Sequence, residues 1–438
     1  MSLLSFKGGI HPYDGKELSK DKAIIDAQAG KELVYPLSQH IGAPAKAIVA
    51  KGARVLCGQC IAEAGGFVSA PVYSSVSGTV KGIEKRRSVT GDMIDSIIIE
   101  NDGEYAQADP ITDKAYEDMS REEVIDVIKK AGIVGMGGAG FPTHVKLSPK
   151  DPDKIDTVIV NCAECEPYLT SDYRKMLEEP DKLIGGLQIE VGLFKNARGI
   201  LAIEDNKPDC IRLLKEKTKG IANISVAVLK TKYPQGSERQ LIYAVTKRAI
   251  NSKMLPADAG CIVNNVDTVI AINNAVREGQ PLIYRIVTVS GDAIKEPGNF
   301  KVRTGTDYND LIEAAGGFKC TPQKIISGGP MMGFALFDTH VPVTKTSSAV
   351  LCMSEDEVAK WEPTACINCG RCVDVCPSRL IPSQLADHAS HFNDEEFVAL
   401  YGMECVECGS CSYVCPAKRQ LAQMIKSMRR LQLAKRKK

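Results

Sequence analysis

The chain has 438 residues, 44% of them hydrophobic and 25% charged, with a formal net charge of +1. That length supports three or four domains with cores of their own, and the near-neutral balance gives no electrostatic reason for nucleic acid as a general partner. Sixteen cysteines suit a disulfide framework only in a secreted chain; the opening MSLLSFKGGIHPYDGK lacks a signal peptide's apolar core and no run of about 20 apolar residues occurs, so the expectation is a reducing cytoplasm.

Residues 7–14 (KGGIHPYD) are glycine and proline punctuation, and 21–30 form a charged stretch without a convincing period. From 32 to about 100 the chain reads as short strands broken by glycine, a small barrel or sandwich within residues 1–110. The phrases VAKGARVLCGQCIAE and APVYSSVSGTVKGIE resemble the two halves of a biotinyl/lipoyl-type barrel in rearranged order. No hairpin lysine that would carry a prosthetic group accompanies them, so the resemblance implies a scaffold. Cys57 and Cys60 form a single C-x2-C, which cannot close a tetrahedral metal site alone and reads as ordinary thiols.

Residues 115–282 read as an α/β domain. SREEVIDVIKKA at 120–131 predicts a helix with Ser120 as N-cap and Glu123 completing a capping box. A glycine-rich turn follows, Gly135-Met136-Gly137-Gly138-Ala139-Gly140-Phe141-Pro142-Thr143-His144-Val145-Lys146. Such a turn brings successive N–H groups close to a phosphate or flat ring, although a plain tight turn reads the same way. The buried-strand pattern KIDTVIVNC runs into the polar cluster Asn161-Cys162-Ala163-Glu164-Cys165-Glu166-Pro167-Tyr168, and ligands of open α/β sheets bind at the carboxyl ends of strands. Strand and helix alternate through 278, giving a Rossmann-like, largely parallel core. Cys162 and Cys165 read as small packing residues and His144 as an exposed loop histidine.

Residues 283–340 show two strands, a helix at about 307–315 and a closing strand, followed by a linker at 341–360. Residues 361–420 hold the clearest signal: Cys366, Cys369, Cys372, Cys376 then Pro377, and Cys405, Cys408, Cys411, Cys415 then Pro416. This C-x2-C-x2-C-x3-C-P spacing, twice, is that of two [4Fe-4S] clusters, and in two-cluster ferredoxins the last cysteine of each run serves the other run's cluster. The expected sets are therefore Cys366, Cys369, Cys372 and Cys415, and Cys405, Cys408, Cys411 and Cys376. Residues 382–401 between the runs read as helical, which favours an α-helical two-cluster module. The tail at 421–438 is basic and amphipathic, equally suited to lie on anionic lipid or to pack on the module.

GGAGFPTHVK, Asn161-x-x-Glu164-x-Glu166-Pro167, Tyr233-x-x-Gly236-x-Glu238 and Asn264-Asn265-Val266-Asp267-Thr268 resemble the FMN- and NADH-binding elements of the flavoprotein subunit of respiratory complex I. With GGIHP and the two cysteine runs, the chain resembles more closely the RnfC family of Rnf complexes, ion-translocating ferredoxin:NAD oxidoreductases. The resemblance implies FMN and NAD(H) beside the two clusters. Gly137, Gly138, Gly140 and Lys146 would approach the flavin, Asn264, Asn265 and Thr268 would hold its ribityl and phosphate end, and Asn161, Glu164 and Glu166 would line the flavin and nicotinamide face, the two glutamates nearest the chemistry. Phe141 would stack on the nucleotide and Glu238 meet a ribose hydroxyl. Residues 283–340 would be a β-grasp, SLBB-like domain that positions the flavin domain. Met136, Ala163 and Ser237 depart from the complex I pattern, where arginine, aspartate and glutamate are usual.

The implied partners are the membrane and ferredoxin-like subunits of such a complex, and ferredoxin indirectly, with the chain peripheral on the cytoplasmic face of the membrane and no nucleic acid. Two other readings share these features: a cobalamin reductase of a bacterial microcompartment, and a non-enzymatic iron-sulfur wiring subunit.

Overall fold

The N-terminal runs are too short and too often broken by glycine to form helices, and they pair as strands. The computed structural model describes residues 3–435. Glu32–Pro36, Met93–Asn101, Gly78–Arg87 and Arg54–Val55 form one antiparallel sheet, and Lys46–Ala47, Cys60–Glu63 and Val72–Tyr73 a second. Leu33, Tyr35, Val55, Ile61, Val76, Ile97 and Ile99 are buried together as their shared core.

The second body is a four-stranded parallel sheet in the order Ile224–Leu229, Arg198–Glu204, Thr157–Cys162, Cys261–Asn265. Its central strands are continuous apolar runs because helices cover both faces. The helix Arg121–Lys130 begins with the expected capping box between Ser120 and Glu123. Pro180–Gly192 and Val266–Glu278 cross at Gly186, where an added Cβ would collide with the Val269 carbonyl oxygen. Glycine permits that approach.

The third body is a mixed six-stranded sheet, in the order Ile25–Asp26, Gly298–Arg303, Tyr284–Ser290, Ala349–Met353, Lys324–Ser327, Phe334–Leu336, with the helix Tyr308–Ala314 in its core. Two sequence expectations are corrected here. Residues 341–360 are no simple linker: Ala349–Met353 lies inside the sheet, paired on both sides, with Ala349, Val350, Leu351 and Cys352 all fully buried. Five apolar residues behind a Thr-Lys-Thr-Ser-Ser stretch gave too short a run to stand out as a strand. The charged stretch 21–30 likewise supplies an edge strand, Ile25–Asp26.

In the cysteine module the single helix expected at 382–401 is two, Pro382–Ser390 and Asp394–Ala399, the second capped by the Asn393 side chain. The helix Leu421–Lys435 buries Leu421, Ile425 and Met428 against them, so the first turns of the tail's apolar face are core, while Leu431 is exposed; Arg436 to Lys438 lie outside the described residues. Among the described residues no helix is long and apolar enough to cross a membrane.

Residues 3–20 add no strand to these sheets, although Leu4 packs on the core of the parallel sheet and Ile10 clusters with Tyr233. Leu4 pairs with Leu229 at the open edge of the parallel sheet and Ile10 pairs with Tyr233.

Candidate functional site

Two strands of the parallel sheet end side by side, with Asn265 opposite Asn161. Over that edge the glycine turn closes as a narrow hairpin, its Gly135 N–H donating to the Phe141 carbonyl (2.9 Å). The Met136 N–H donates to the Thr268 hydroxyl (3.0 Å), and a Cβ on Gly137 would stand 2.9 Å from that of Asn265. The turn thus rests on the N-terminus of Val266–Glu278, capped by the Asn265 side chain. Gly137 and Gly138 are exposed, and a Cβ on Gly138 would meet nothing within 4 Å. Gly140 has φ +71°, and a Cβ there would stand 2.9 Å from Thr346 and 3.1 Å from the Gln39 carbonyl oxygen. The structure therefore brings Gly137, Gly138, Gly140, Asn265 and Thr268 together beside Phe141, which is half-buried.

Lys146 donates to the Val263 carbonyl (2.7 Å); burial lowers its pKa, while Glu238 and Glu190 raise it. Glu190 accepts from Asn264 Nδ2 (2.6 Å), and burial lifts its carboxyl to about 7. Asn264 Oδ1 and Glu190 Oε2 are buried without partners. So are both amide atoms of Gln235, which is fully buried. Asn161 donates to the Gly236 carbonyl (2.7 Å), and Glu238 is exposed at the start of the helix Glu238–Thr246.

The two carboxylates of the 161–168 stretch are held by protein. Glu164, at φ +48°, accepts from the Asp172 N–H (2.7 Å) and the Tyr173 N–H (3.3 Å), covering free donors at the N-terminus of Ser171–Glu178. Lys16 approaches it to 3.9 Å. Glu166 accepts from the Met331 N–H (3.1 Å) and the Tyr233 hydroxyl (3.5 Å). A Cβ on Gly329 would overlap its Oε2, so a β-grasp loop closes over Glu166, and burial lifts its carboxyl to about 7. Lys16, Glu190, Tyr233 and Gln235 are the polar residues here whose part the sequence did not signal; Tyr233 entered only as a motif letter. His144 is buried, not exposed as expected.

The second cysteine run lies against this face. Cys408 clusters with Ile10, Tyr233, Cys165 and Met331, and its carbonyl accepts from the Tyr233 hydroxyl (2.8 Å). Cys165 is therefore a packing residue between the flavin-type loop and the cysteine module, while Cys162 sits in the α/β core and Cys57 in the barrel joint. Cys376, Cys405, Cys408 and Cys411 line one cavity. That is the crossed set, three sulfurs of the second run and the last of the first. Cys366 and Cys369 are exposed and Cys372 is buried, with Cys415 part-buried. Among the described residues no three His, Cys, Asp or Glu side chains already close on a metal-sized point. The fit to a thiolate-bound cluster rests on donor identity and the shared cavity. The fit to a flavin mononucleotide rests on the open glycine crest, the helix N-terminus beneath it, and the unpartnered Asn264 oxygen, an acceptor suited to a ribityl hydroxyl.

Four family descriptions match in sequence: the RnfC barrel sandwich hybrid domain at residues 4–104, the Nuo51 FMN-binding domain at 128–274, the SLBB domain at 286–335 and the 4Fe-4S dicluster domain at 365–418. The C component of the proton-translocating ferredoxin:NAD(+) oxidoreductase complex of Clostridium ljungdahlii is 46% identical over 88% of this chain and 84% of its own. Its counterpart in the Na(+)-translocating complex of Acetobacterium woodii is 43% identical over 88% and 87%. The C component of an ion-translocating oxidoreductase complex of Haemophilus influenzae is 37% identical over 90% of this chain, but only 61% of that longer relative is matched. An NAD+-reducing [NiFe]-hydrogenase in the air-oxidized state shares the fold, with TM-score 0.52, 18% identity and coverage of 71% of this chain and 66% of that one.

Proposed function

The chain belongs to the RnfC family, the C components of ion-translocating ferredoxin:NAD(+) oxidoreductase complexes, and on that premise we propose that it carries electrons between NAD(H) and two [4Fe-4S] clusters by way of FMN. When bound, FMN takes two electrons with a hydride and releases them singly, the conversion that a nicotinamide and an iron-sulfur cluster need between them.

The protein's part is to hold and space these groups. Gly137, Gly138 and Gly140 leave backbone room for the flavin ring and phosphate, with Phe141 as the stacking face. The N-terminus of Val266–Glu278 supplies N–H donors to the phosphate, Asn264, Asn265 and Thr268 hold the ribityl and phosphate end, and Lys146 adds charge from behind. Asn161, Glu164 and Glu166 border the ring, and Glu238 serves a ribose hydroxyl. Glu164 acts by keeping its loop in shape, and Glu166 holds a proton on its carboxyl below about pH 7. Cys405, Cys408, Cys411 and Cys376 ligate the cluster nearer the flavin, and Cys366, Cys369, Cys372 and Cys415 the one nearer the surface.

The observation that carries this reading is the Tyr233 hydroxyl, which donates to the Cys408 carbonyl (2.8 Å) and reaches Glu166 (3.5 Å), so that one side chain joins the second cysteine run to the 161–168 loop. As one member of a multisubunit assembly, the chain meets its membrane and ferredoxin-like partners through the exposed 361–371 run, peripherally at the cytoplasmic face. The relatives' names favour this assembly over a corrinoid reductase.

The test is anaerobic purification with iron and sulfide supplied. A flavin band and NADH-driven bleaching of the cluster absorbance are expected. Iron-loaded protein without flavin, inert to NADH, would leave only the wiring role.

A further inference from the structure

The opening KGGIHP motif has no part in the site as described, yet it lies between its two halves. Residues 4–10 form a strap one strand wide. On one side it pairs with the flavin-type domain: Ile10 N–H donates to the Tyr233 carbonyl (2.8 Å) and Tyr233 N–H to the Ile10 carbonyl (2.9 Å). On the other side Gly9 N–H donates to the carbonyl of Val375 (2.8 Å), the residue before Cys376. Lys232 ties the strap down, its ammonium donating to the carbonyls of Phe6 and Gly8 and lying 3.8 Å from the Phe6 ring centroid.

Both glycines are required by geometry. Gly8 and Gly9 each have φ +83°, a region other residues rarely adopt. A Cβ on Gly8 would stand 2.9 Å from the carbonyl oxygens of both Val375 and Cys376, and one on Gly9 would stand 2.8 Å from that of Tyr233. These are backbone atoms, so the only relief for an added methyl is to move the two segments apart. Beyond the strap, Lys16 donates to the Glu166 carbonyl (3.1 Å) and Ser19 bonds Thr170 (2.7 Å), so the 161–170 loop is held by a separate segment.

We propose that Gly8 and Gly9 are positioning residues: the strap they shape is a spacer that sets the separation between the flavin site and the buried cluster, and so the rate of electron transfer between them. This rests on the functional reading above. It assigns the strap neither flavin binding nor cluster ligation; it acts only through the Tyr233 and Val375–Cys376 backbone.

The test compares Gly8→Ala, Gly9→Ala and Lys232→Met with wild type, with Gly52→Ala as control. Gly52 also has a left-handed φ, +84°, but a Cβ there meets nothing within 4 Å. In the strap variants flavin, iron and the NADH:ferricyanide rate stay at wild-type levels, while NADH-driven cluster bleaching in stopped flow slows at least tenfold. Hydrogen exchange on the as-purified proteins shows lost protection at the Gly9, Ile10 and Tyr233 amides, and the control behaves as wild type in every measurement. Wild-type bleaching rates in strap variants that keep both cofactors would overturn the spacer. If the glycine variants lose iron, Lys232→Met decides by the same criterion. Wild-type protein that lacks NADH:ferricyanide activity would instead sink the functional reading beneath it.

Discussion

The two cysteine runs share a spacing and a backbone. Asn368 and Glu407 occupy the left-handed region at φ 54° and 58°, Gly370 and Gly409 at 76° and 78°, and Arg379 and Lys418 at 57° and 54°. Their surroundings differ most where each run opens. Every residue from 361 to 371 is exposed, including Trp361, Ile367, Cys366 and Cys369, whereas Cys408 and Cys411 are buried and the second run packs on Tyr233. A duplicated motif thus opens once at a surface and once within a joint, while the ends of both runs, Val375 and Val414, pack on the Tyr233 cluster. Ligand spacing fixes which metal group is held, and burial fixes what it exchanges electrons with, giving the relay a direction in space.

Removing one ligand from each run breaks the comparison most sharply. Cys408→Ala abolishes NADH-driven reduction of both clusters, because the relay is cut at its inner end. Cys369→Ala loses about half of the bound iron yet keeps one NADH-reducible cluster. Iron analysis and low-temperature EPR after NADH addition distinguish the two, and equal behaviour would remove the inner and outer labels.

Packing gives the next effect. Ile425 is 1% exposed beneath the second run and Ile367 is 67% exposed on the first. Ile425→Ala costs about 2–4 kcal/mol, whereas Ile367→Ala stays within about 0.5 kcal/mol, as read by thermal or denaturant unfolding.

A smaller loss follows at the joint itself. Glu404 accepts from Arg239 (3.0 Å) and from the Ser252 N–H (2.8 Å), pinning the second run to the α/β domain. Glu404→Gln costs about 1–2 kcal/mol, and part of that difference fades at high salt. A salt-independent difference would argue that the ion pair contributes nothing.

The finest effect is one of slope. Burial raises the Glu166 carboxyl from 4.5 to about 7, so the folded state binds a proton that the unfolded state has released. Its contribution is full below about pH 4.5 and is lost as pH rises through about 7. Glu166→Gln removes that decline, so the unfolding midpoint of the variant falls less than that of wild type between those pH values. Parallel profiles would place Glu166 in a more solvated setting.

Sequence legibility followed signal length. The eight cysteines, the 135–141 glycine turn and the capped helix at Arg121–Lys130 were readable because each is a local pattern with a local cause. The parallel sheet was readable from apolar runs buried on both faces. Ala349–Met353 was not, since its strand identity comes from Thr288–Ser290 on one side and Lys324–Ser327 on the other. Lys16 is 7% exposed, yet it lies in DGKELSKDK, where charge suggests solvent, and only the 164–169 loop folded around it explains its burial. The tail's apolar stripe was legible as a stripe; its partner was not, because lipid and protein select the same pattern.

The third sheet has an implication for how the chain is made. Its edge strand comes from residues 25–26 and an interior strand from 349–353, so the ribosome must deliver about four-fifths of the polypeptide before that layer closes. One clasp of the strap, Tyr233, is made near mid-chain, but the other, Val375, follows the last strand of that layer. The strap can therefore be fastened on both sides only after the metal-bearing end has begun to emerge.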